Sequence, residues 1–228
     1  MGLIVLLTTL AVAVGDDFTA ATAHLDQGQQ LSLLGQTDNV HSLADAHRHL
    51  TEKGRTPLLL TNAGIFHDIN RPVGLQIEDG RTVSALNRDD GQGNFFLKPN
   101  GVFFISNTGA RTVTTDEWAQ TPPADVKLAT QSGPMLLIDG QVHPRFRPNA
   151  SSKKIRSGVC ASDPNTVHLF ISTVPVRFYD TAVYARDVLK CRDALYLDGT
   201  ISRMWQAGEG EPPPMPFAGV LSVSVTRN

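Results

Sequence analysis

Asp198 closes the run Ala194-Leu195-Tyr196-Leu197, a short buried strand that delivers a lone acid straight into a Gly199-Thr200 turn. Two readings fit such an acid. It ties down the turn through its own backbone, or it is a catalytic carboxylate on a rigid platform. The same design recurs in three other places: LLLTNAGIF carries Asn62 and Gly64, LKPNGVFF carries Lys98, Asn100 and Gly101, and LATQSGPMLL carries Gln131, Ser132, Gly133 and Pro134. In each, an apolar strand runs out into small and polar residues. Glycine lets backbone approach a ligand closely, and buried amides or acids beside it must have partners. Four such strand ends around one cleft would make a site rather than four separate turns. Arg156, in Lys-Lys-Ile-Arg-Ser-Gly, adds a planar, permanently charged fork suited to phosphate oxygens. In isolation it reads equally as one more exposed base beside Lys153 and Lys154.

The rest of the chain must hold those tips in place. FTAATAHLD at 18–26 alternates as a half-buried strand does. Ser42 opens a helix through Ser-Leu-Ala-Asp, a weak capping box, with Leu43, Ala46 and Leu50 on one face through Lys53 and Gly54 as the stop. TPLLLTNAGIF, PVGLQIEDG, NFFLKPNGVFFIS, VKLATQSGPMLLIDG and IRSGVCASDPNTVHLFIS read as strand segments joined by Gly, Asn and Asp-Pro turns, with Asp139-Gly140 a hairpin turn. Asp180 or Thr181 caps a second helix, whose Val183, Val188 and Leu189 form a ragged apolar face before Cys191. FAGVLSVSVTR alternates again and should close a sheet edge. Two helices among about ten strands predict an α+β fold, helices packed on a mainly antiparallel sheet, with the site built from strand-end loops.

Composition narrows the function classes. The 228 residues carry 20 basic and 22 acidic side chains, a net charge of −2, with no block of like charge. That balance argues against a nucleic-acid partner or a polybasic membrane surface. MGLIVLLTTLAVAVG is apolar, uncharged and ends in the small-residue pattern Ala11-Val12-Ala13. It reads as a secretory signal over 1–15 without the usual basic n-region, or as a buried strand, leaving one domain over 16–228. The run is shorter than the ~20 apolar residues a bilayer requires, and no second run follows, so no integral membrane span is expected. Cys160 and Cys191 permit one disulfide in an exported chain, whereas in a cytosolic one the same pair would be two buried thiols. No CxxC or HxxxH partner accompanies them, so no zinc site is proposed. The loop acids Asp68, Asp89 and Asp90 leave room for a bound calcium.

Taken in order, TNAGIF, PVGL, GNFFLKPNGVFFI, ATQSGPMLLIDG, IRSGV and ALYLDGTISRMW resemble the successive blocks of the phosphodiester glycosidase family, the family of the animal uncovering enzyme that removes N-acetylglucosamine from a sugar phosphodiester. The likeness is strongest to the bacterial branch and runs from Phe18 to Val225. Many members carry Asp-Gly-Gly followed by serines where this chain has Asp198-Gly199-Thr200-Ile201-Ser202. The resemblance implies an α+β domain whose cleft hydrolyses the bond between a sugar's anomeric carbon and a phosphate, without a cofactor.

On that reading Asp198 supplies the carboxylate that an oxocarbenium-like centre demands as nucleophile, stabiliser or base for water. The leaving phosphate monoester, with a second pKa near about 6, needs a cation more than a strong acid: Arg156 first, Lys98 as its backup. Asn62, Asn100, Gln131, Ser132 and Ser202 would donate to sugar hydroxyls or phosphate, and Gly64, Gly133 and Gly199 would give backbone N–H groups room to reach them. His67 is a further candidate acid or base. Trp205, Phe66 and Tyr179 could stack on a sugar face or simply belong to the core. The expected partner is a sugar phosphodiester in an exported glycan or envelope polymer, met in the periplasm or outside the cell, with the oligomeric state left open. Two other classes compete with this one: an exported carbohydrate-binding module without turnover, and a metal-dependent phosphodiesterase attacking phosphorus.

Overall fold

Short runs of apolar, β-branched and aromatic residues between Gly, Asn and Pro turns dictate strands, and strands dominate the architecture. The computed structural model describes residues 10–14, 17–68, 71–199 and 201–227. With elements numbered along the chain, a seven-stranded sheet runs from edge to edge as β1 (Ala11–Val14), β2 (Phe18–His24), β15 (Thr166–Ser172), β14 (Ser157–Asp163), β16 (Ala194–Tyr196), β12 (Met135–Ile138) and β13 (Gln141–Val142). A five-stranded sheet runs β10 (Gly109–Thr114), β9 (Gly101–Ser106), β11 (Leu128–Ser132), β7 (Gln76–Glu78) and β8 (Arg81–Ser84). A four-stranded sheet runs β17 (Met204–Gln206), β4 (Arg55–Asn62), β18 (Gly219–Thr226) and β3 (Gln30–Gly35), and β5 (Phe66–Asp68) pairs with β6 (Arg71–Pro72). The pairings are antiparallel, and the fold is α+β as expected.

The three large sheets close over one core, to which Leu59 and Leu221, Phe103, and Met135, Leu169 and Leu195 contribute from the four-, five- and seven-stranded sheets respectively. Helix α1 (Leu43–Glu52) begins where expected: the Ser42 hydroxyl accepts the Asp45 amide at 3.0 Å, and Leu43, Ala46 and Leu50 are buried beside Leu60 and Val220. The outer face of the seven-stranded sheet is covered by α3 (Phe178–Asp187), whose Ala182, Tyr184 and Ala185 pack with Cys160, Phe170 and Tyr196. Cys160 and Cys191 are disulfide-bonded across 6.1 Å between Cα atoms, beneath that helix. Asp139 and Gly140, with φ of 49° and 77°, turn β12 into β13 as the hairpin reading required.

Several expectations are corrected. NFFLKPNGVFFIS is strand only from Gly101, because Asn94 to Asn100 is a series of turns ending at Pro99. VKLATQSGPMLLIDG breaks at Gly133-Pro134, where β11 ends in one sheet and β12 begins in another. The second long helix starts at Phe178, with Asp180 in its first turn: the Asp180 carboxylate accepts the Arg177 amide at 3.0 Å from inside the helix. The helix ends at Asp187 rather than at Cys191, and Val188 is 56% exposed, so its apolar face is small residues and Tyr184. A third helix, α2 (Thr115–Gln120), was not expected. The tail strand β18 lies inside its sheet, between β4 and β3, rather than at an edge. The signal assigned to 1–15 falls largely outside the described residues; Ala11–Val14 pairs with β2. No helix among the described residues is long and apolar enough to cross a membrane.

Candidate active site

Four strand termini meet at one place. The β4 strand ends at Asn62, β11 ends at Ser132, β14 begins at Ser157, and the chain leaving β16 reaches Asp198 one residue after Leu197. Their hydrogen bonds interlock. The Leu197 amide donates to the Ser157 carbonyl at 3.0 Å, and the Ser157 amide donates to the Asp198 carbonyl at 3.1 Å. The Ser132 hydroxyl donates to the Leu197 carbonyl at 2.9 Å and accepts the Ile65 amide at 3.3 Å. Asn62, buried, donates through Nδ2 to the Ala63 carbonyl at 3.1 Å and to Ser157 Oγ at 3.4 Å, and accepts the Arg203 amide on Oδ1 at 3.1 Å. Ser157 Oγ and Ser202 Oγ share a hydrogen bond of 2.8 Å, and the Ser202 amide closes the turn on the Gly199 carbonyl at 2.8 Å. Asn62, Ser132, Asp198, Gly199 and Ser202 are therefore brought together, and the neighbouring Thr200 lies outside the described residues.

Asp198 itself is half-buried, and burial raises its pKa above the ordinary carboxylate range, opposed by the Gly199 N–H that its Oδ1 accepts. Two residues back, Tyr196 is fully buried. Burial is the main reason its phenol pKa is driven far above the usual value, with Arg156 pulling it down and Asp198 pushing it up. Its Oη has the Arg156 guanidinium and the Asn94 side chain as polar neighbours, neither at full hydrogen-bonding geometry.

The other assigned residues sit differently. Arg156 is 1% exposed: Nε donates to the Val176 carbonyl at 3.0 Å, Nη2 to the Ser152 carbonyl at 3.4 Å, and the guanidinium carbon lies 3.5 Å from the Phe178 ring centroid and 5.7 Å from that of Tyr196. It is neither the exposed base of one reading nor an open fork of the other, but a cation packed between aromatic rings beneath the Asp198 strand. Burial lowers its pKa, while Tyr196 and Asp180 raise it. Gln131 spends its amide on structure, accepting the Leu75 and Asn87 amides at 2.9 Å each and donating to the Asn87 carbonyl and Thr115 Oγ1. Asn100 donates to the Phe95 carbonyl at 3.0 Å, and Lys98 reaches outward to Asp90 at 2.7 Å and the Arg88 carbonyl at 2.9 Å. The Gly64 amide donates to Thr130 Oγ1, and a Cβ there would lie 2.5 Å from the Gln131 carbonyl. A Cβ on Gly133 would lie 2.6 Å from the Phe95 carbonyl. Both glycines thus allow protein backbones to approach each other. Trp205 is core, its indole donating to the Gly210 carbonyl at 2.6 Å; Phe66 and Tyr179 pack against core clusters, and His67 is exposed.

Two residues at this place carry no sequence assignment. Ser157 links β14 to Asn62, Ser202 and the Asp198 carbonyl. Arg203 is half-buried, donates through Nη1 to the Ser202 carbonyl at 2.7 Å, and has no acidic partner among the described residues. Its position five residues beyond Asp198 was the available signal. No group of three or more His, Cys, Asp or Glu side chains that could hold a metal occurs among the described residues.

Comparison with known proteins places this arrangement. The phosphodiester glycosidase family profile matches residues 56–217. The chain is 35% identical over 201 residues to the uncharacterized protein YigE of Escherichia coli strain K12, across 86% of this chain and 78% of that one. In fold it is similar to the zebrafish N-acetylglucosamine-1-phosphodiester alpha-N-acetylglucosaminidase catalytic domain auto-inhibited by its pro-peptide, with a TM-score of 0.62 at 15% identity over 94% of this chain and 81% of that one. A hypothetical protein from Synechocystis is similar at a TM-score of 0.57 and 12% identity, over 95% of this chain and 61% of that one. The matched span takes in the strand ends at Asn62, Ser132, Ser157 and Asp198, and the chain belongs to the phosphodiester glycosidase family, as a hydrolase of the glycosidase type.

Proposed function

We propose that the protein hydrolyses the anomeric C–O bond of a glycosyl-1-phosphate diester in an exported glycan or envelope polymer. The observation that carries this reading is Asp198, a half-buried carboxylate with a raised pKa at the point where four strand ends interlock. In that role it stands against the positive charge that develops on the anomeric carbon as the C–O bond breaks. Water supplies the new oxygen on the sugar, and the phosphate monoester departs with the bonding electrons. Arg156 lends positive potential from below the site, and Arg203, free of any described acid, supplies the guanidinium at the turn for the phosphate. Asn62 and Ser202 hold that turn rigid. The disulfide between Cys160 and Cys191 supports an extracytoplasmic setting, where such bonds persist.

The test is turnover of a panel of sugar-1-phosphate diesters in oxygen-18 water, beginning with an N-acetylglucosamine-1-phosphodiester, the compound named for the zebrafish enzyme. Label in the sugar is the expected result. Label in the phosphate would move the attack to phosphorus, and binding without product would make the protein a carbohydrate-binding module.

A further inference from the structure

The strand β3 forms one edge of the four-stranded sheet, and its sequence, Gln-Leu-Ser-Leu-Leu-Gly, does nothing to guard that edge. Sheets blunt an edge with a charge, a proline or a bulge, because unpaired N–H and C=O groups invite another strand. β3 has no charged residue and no proline, and its register with β18 runs unbroken. The pairing also fixes which backbone groups are left over. The Gly219 carbonyl accepts the Ala63 amide and the Arg227 amide donates to the Gly54 carbonyl, so odd-numbered residues of β18 turn their backbone toward β4 and even-numbered ones toward β3. The even-numbered partners on β3 are Leu34, Ser32 and Gln30. Leu31 and Leu33 therefore turn N–H and C=O away from the sheet, to a side where no strand pairs with them.

That side is the floor of a groove of about 560 Å³, which follows the edge through consecutive residues from Gln30 to Leu34. One wall is the end of α1, with Leu50 and Lys53, beside Arg55 at the start of β4. The other is the five-stranded sheet, with Ile105, Leu128 and Lys127. The strand on the floor is buried, so two walls admit one extended segment and keep out a second copy of the chain, whose own β3 is equally recessed. The floor is about 15 Å long, enough for about five paired residues. Charge sets the chemistry of the occupant. Lys53 and Lys127 are exposed and stand in no ion pair among the described residues, while Arg55 is anchored to Ser224 through Nε and Nη2 at 2.8 and 3.1 Å. The acids of the groove are Asp79 and Asp38, and Asp38 lies 3.5 Å from His49 Nε2. Permanent cations thus outnumber acids around an apolar lining.

We propose that this groove docks an extended, acidic segment of a partner protein as a further strand of the sheet. Its backbone pairs with Leu31 and Leu33, its apolar side chains meet Ile105 and Leu128, and its carboxylates meet Lys53, Arg55 and Lys127. β4 runs from Arg55 at the groove to Asn62 at the strand-end site, so the partner sits at the far end of the sheet and leaves that site open. The docking is independent of the reaction assigned to Asp198.

The experiment titrates the full chain with the peptide acetyl-Glu-Val-Glu-Val-Glu-Val-Glu-amide, followed by calorimetry and amide hydrogen exchange. Binding that weakens with salt is expected. Exchange should slow at Leu31 and Leu33, whereas Ser32, already bonded to β18, should not change. The same peptide N-methylated at alternate residues keeps its side chains but cannot pair, and should not bind. Lys53→Glu together with Lys127→Glu should weaken binding about 3- to 10-fold, the worth of two surface ion pairs, with Tm and turnover unchanged. Absence of binding would overturn the proposal, as would unslowed exchange at Leu31 and Leu33, or equal binding of a peptide with lysine in place of every glutamate. A free chain that is dimeric by light scattering, with Leu31 and Leu33 protected only in the dimer, would seat a second copy there and overturn it too.

Discussion

Replacing Asp198 with asparagine exchanges one oxygen for an amide nitrogen and leaves the turn's geometry available. The Gly199 amide still finds a side-chain carbonyl, and the Asp198 backbone carbonyl still accepts the Ser157 amide at 3.1 Å. What disappears is the charge. A carboxylate acting on the reacting centre contributes about 10²- to 10⁴-fold in rate, or about 3–5.5 kcal/mol of barrier at about 1.36 kcal/mol per decade. Stability should move the opposite way. Burial raises the Asp198 pKa in the folded state, so its contribution to stability is full below the unfolded pKa near about 3.9 and is lost as pH rises through the raised value. Asparagine has no such titration. The variant should therefore melt at or above wild type near about pH 8, with the difference closing toward about pH 4, while kcat on the best sugar-1-phosphate diester collapses. Melts at both pH values and steady-state kinetics on one preparation suffice. Turnover within tenfold of wild type, or a Tm below wild type at the higher pH, refutes the reasoning.

Arg156→Ala should cost about 3 kcal/mol, because it removes the guanidinium's hydrogen bonds to the Val176 and Ser152 carbonyls and opens a void against Phe178; a Tm fall of about 6–12 °C in a melt checks it. Reduction of the Cys160–Cys191 bridge, which spans 31 residues, should remove about 3–4 kcal/mol by freeing the unfolded chain, visible as a Tm drop of about 7–15 °C with added reductant. Gly199→Ala should lower stability and activity together, and a double-mutant cycle with Tyr196→Phe should show the two coupled, since removing Oη removes the atom that the new methyl meets; strict additivity would contradict it.

The polar strand tips were legible because each pairs a buried strand with a residue that a strand end alone does not call for, and Asn62, Ser132, Asp198 and Ser202 do meet. Side-chain direction was not legible. Arg156 follows two lysines and looks solvated, but Ser157 opens a buried strand, and Phe178, far along the chain, supplies the ring that takes the guanidinium. Gln131 looks equally available until the loop at Asn87 folds over and consumes its amide. The tail strand alternates like an edge, yet its small polar residues Ser222 and Ser224 are fully buried between β4 and β3. Helix α2 did carry a signal, Thr114 followed three residues later by Glu117, whose amide the Thr114 hydroxyl accepts at 3.1 Å.

The same distinction separates the two tyrosines that lie on the outer face of the seven-stranded sheet. Tyr184 and Tyr196 both bury hydroxyls without partners and both have raised pKa values. Burial alone raises that of Tyr184, whose ring stacks on Phe18 at 4.3 Å within the helix–sheet core. Tyr196 also feels Asp198 and Arg156. Tyr184→Phe should therefore hold or raise Tm, because it removes an unpaired buried hydroxyl and keeps the stacked ring. Tyr196→Phe also takes a polar neighbour from the buried Arg156 guanidinium and should lower Tm; an equal gain in both variants would refute the distinction.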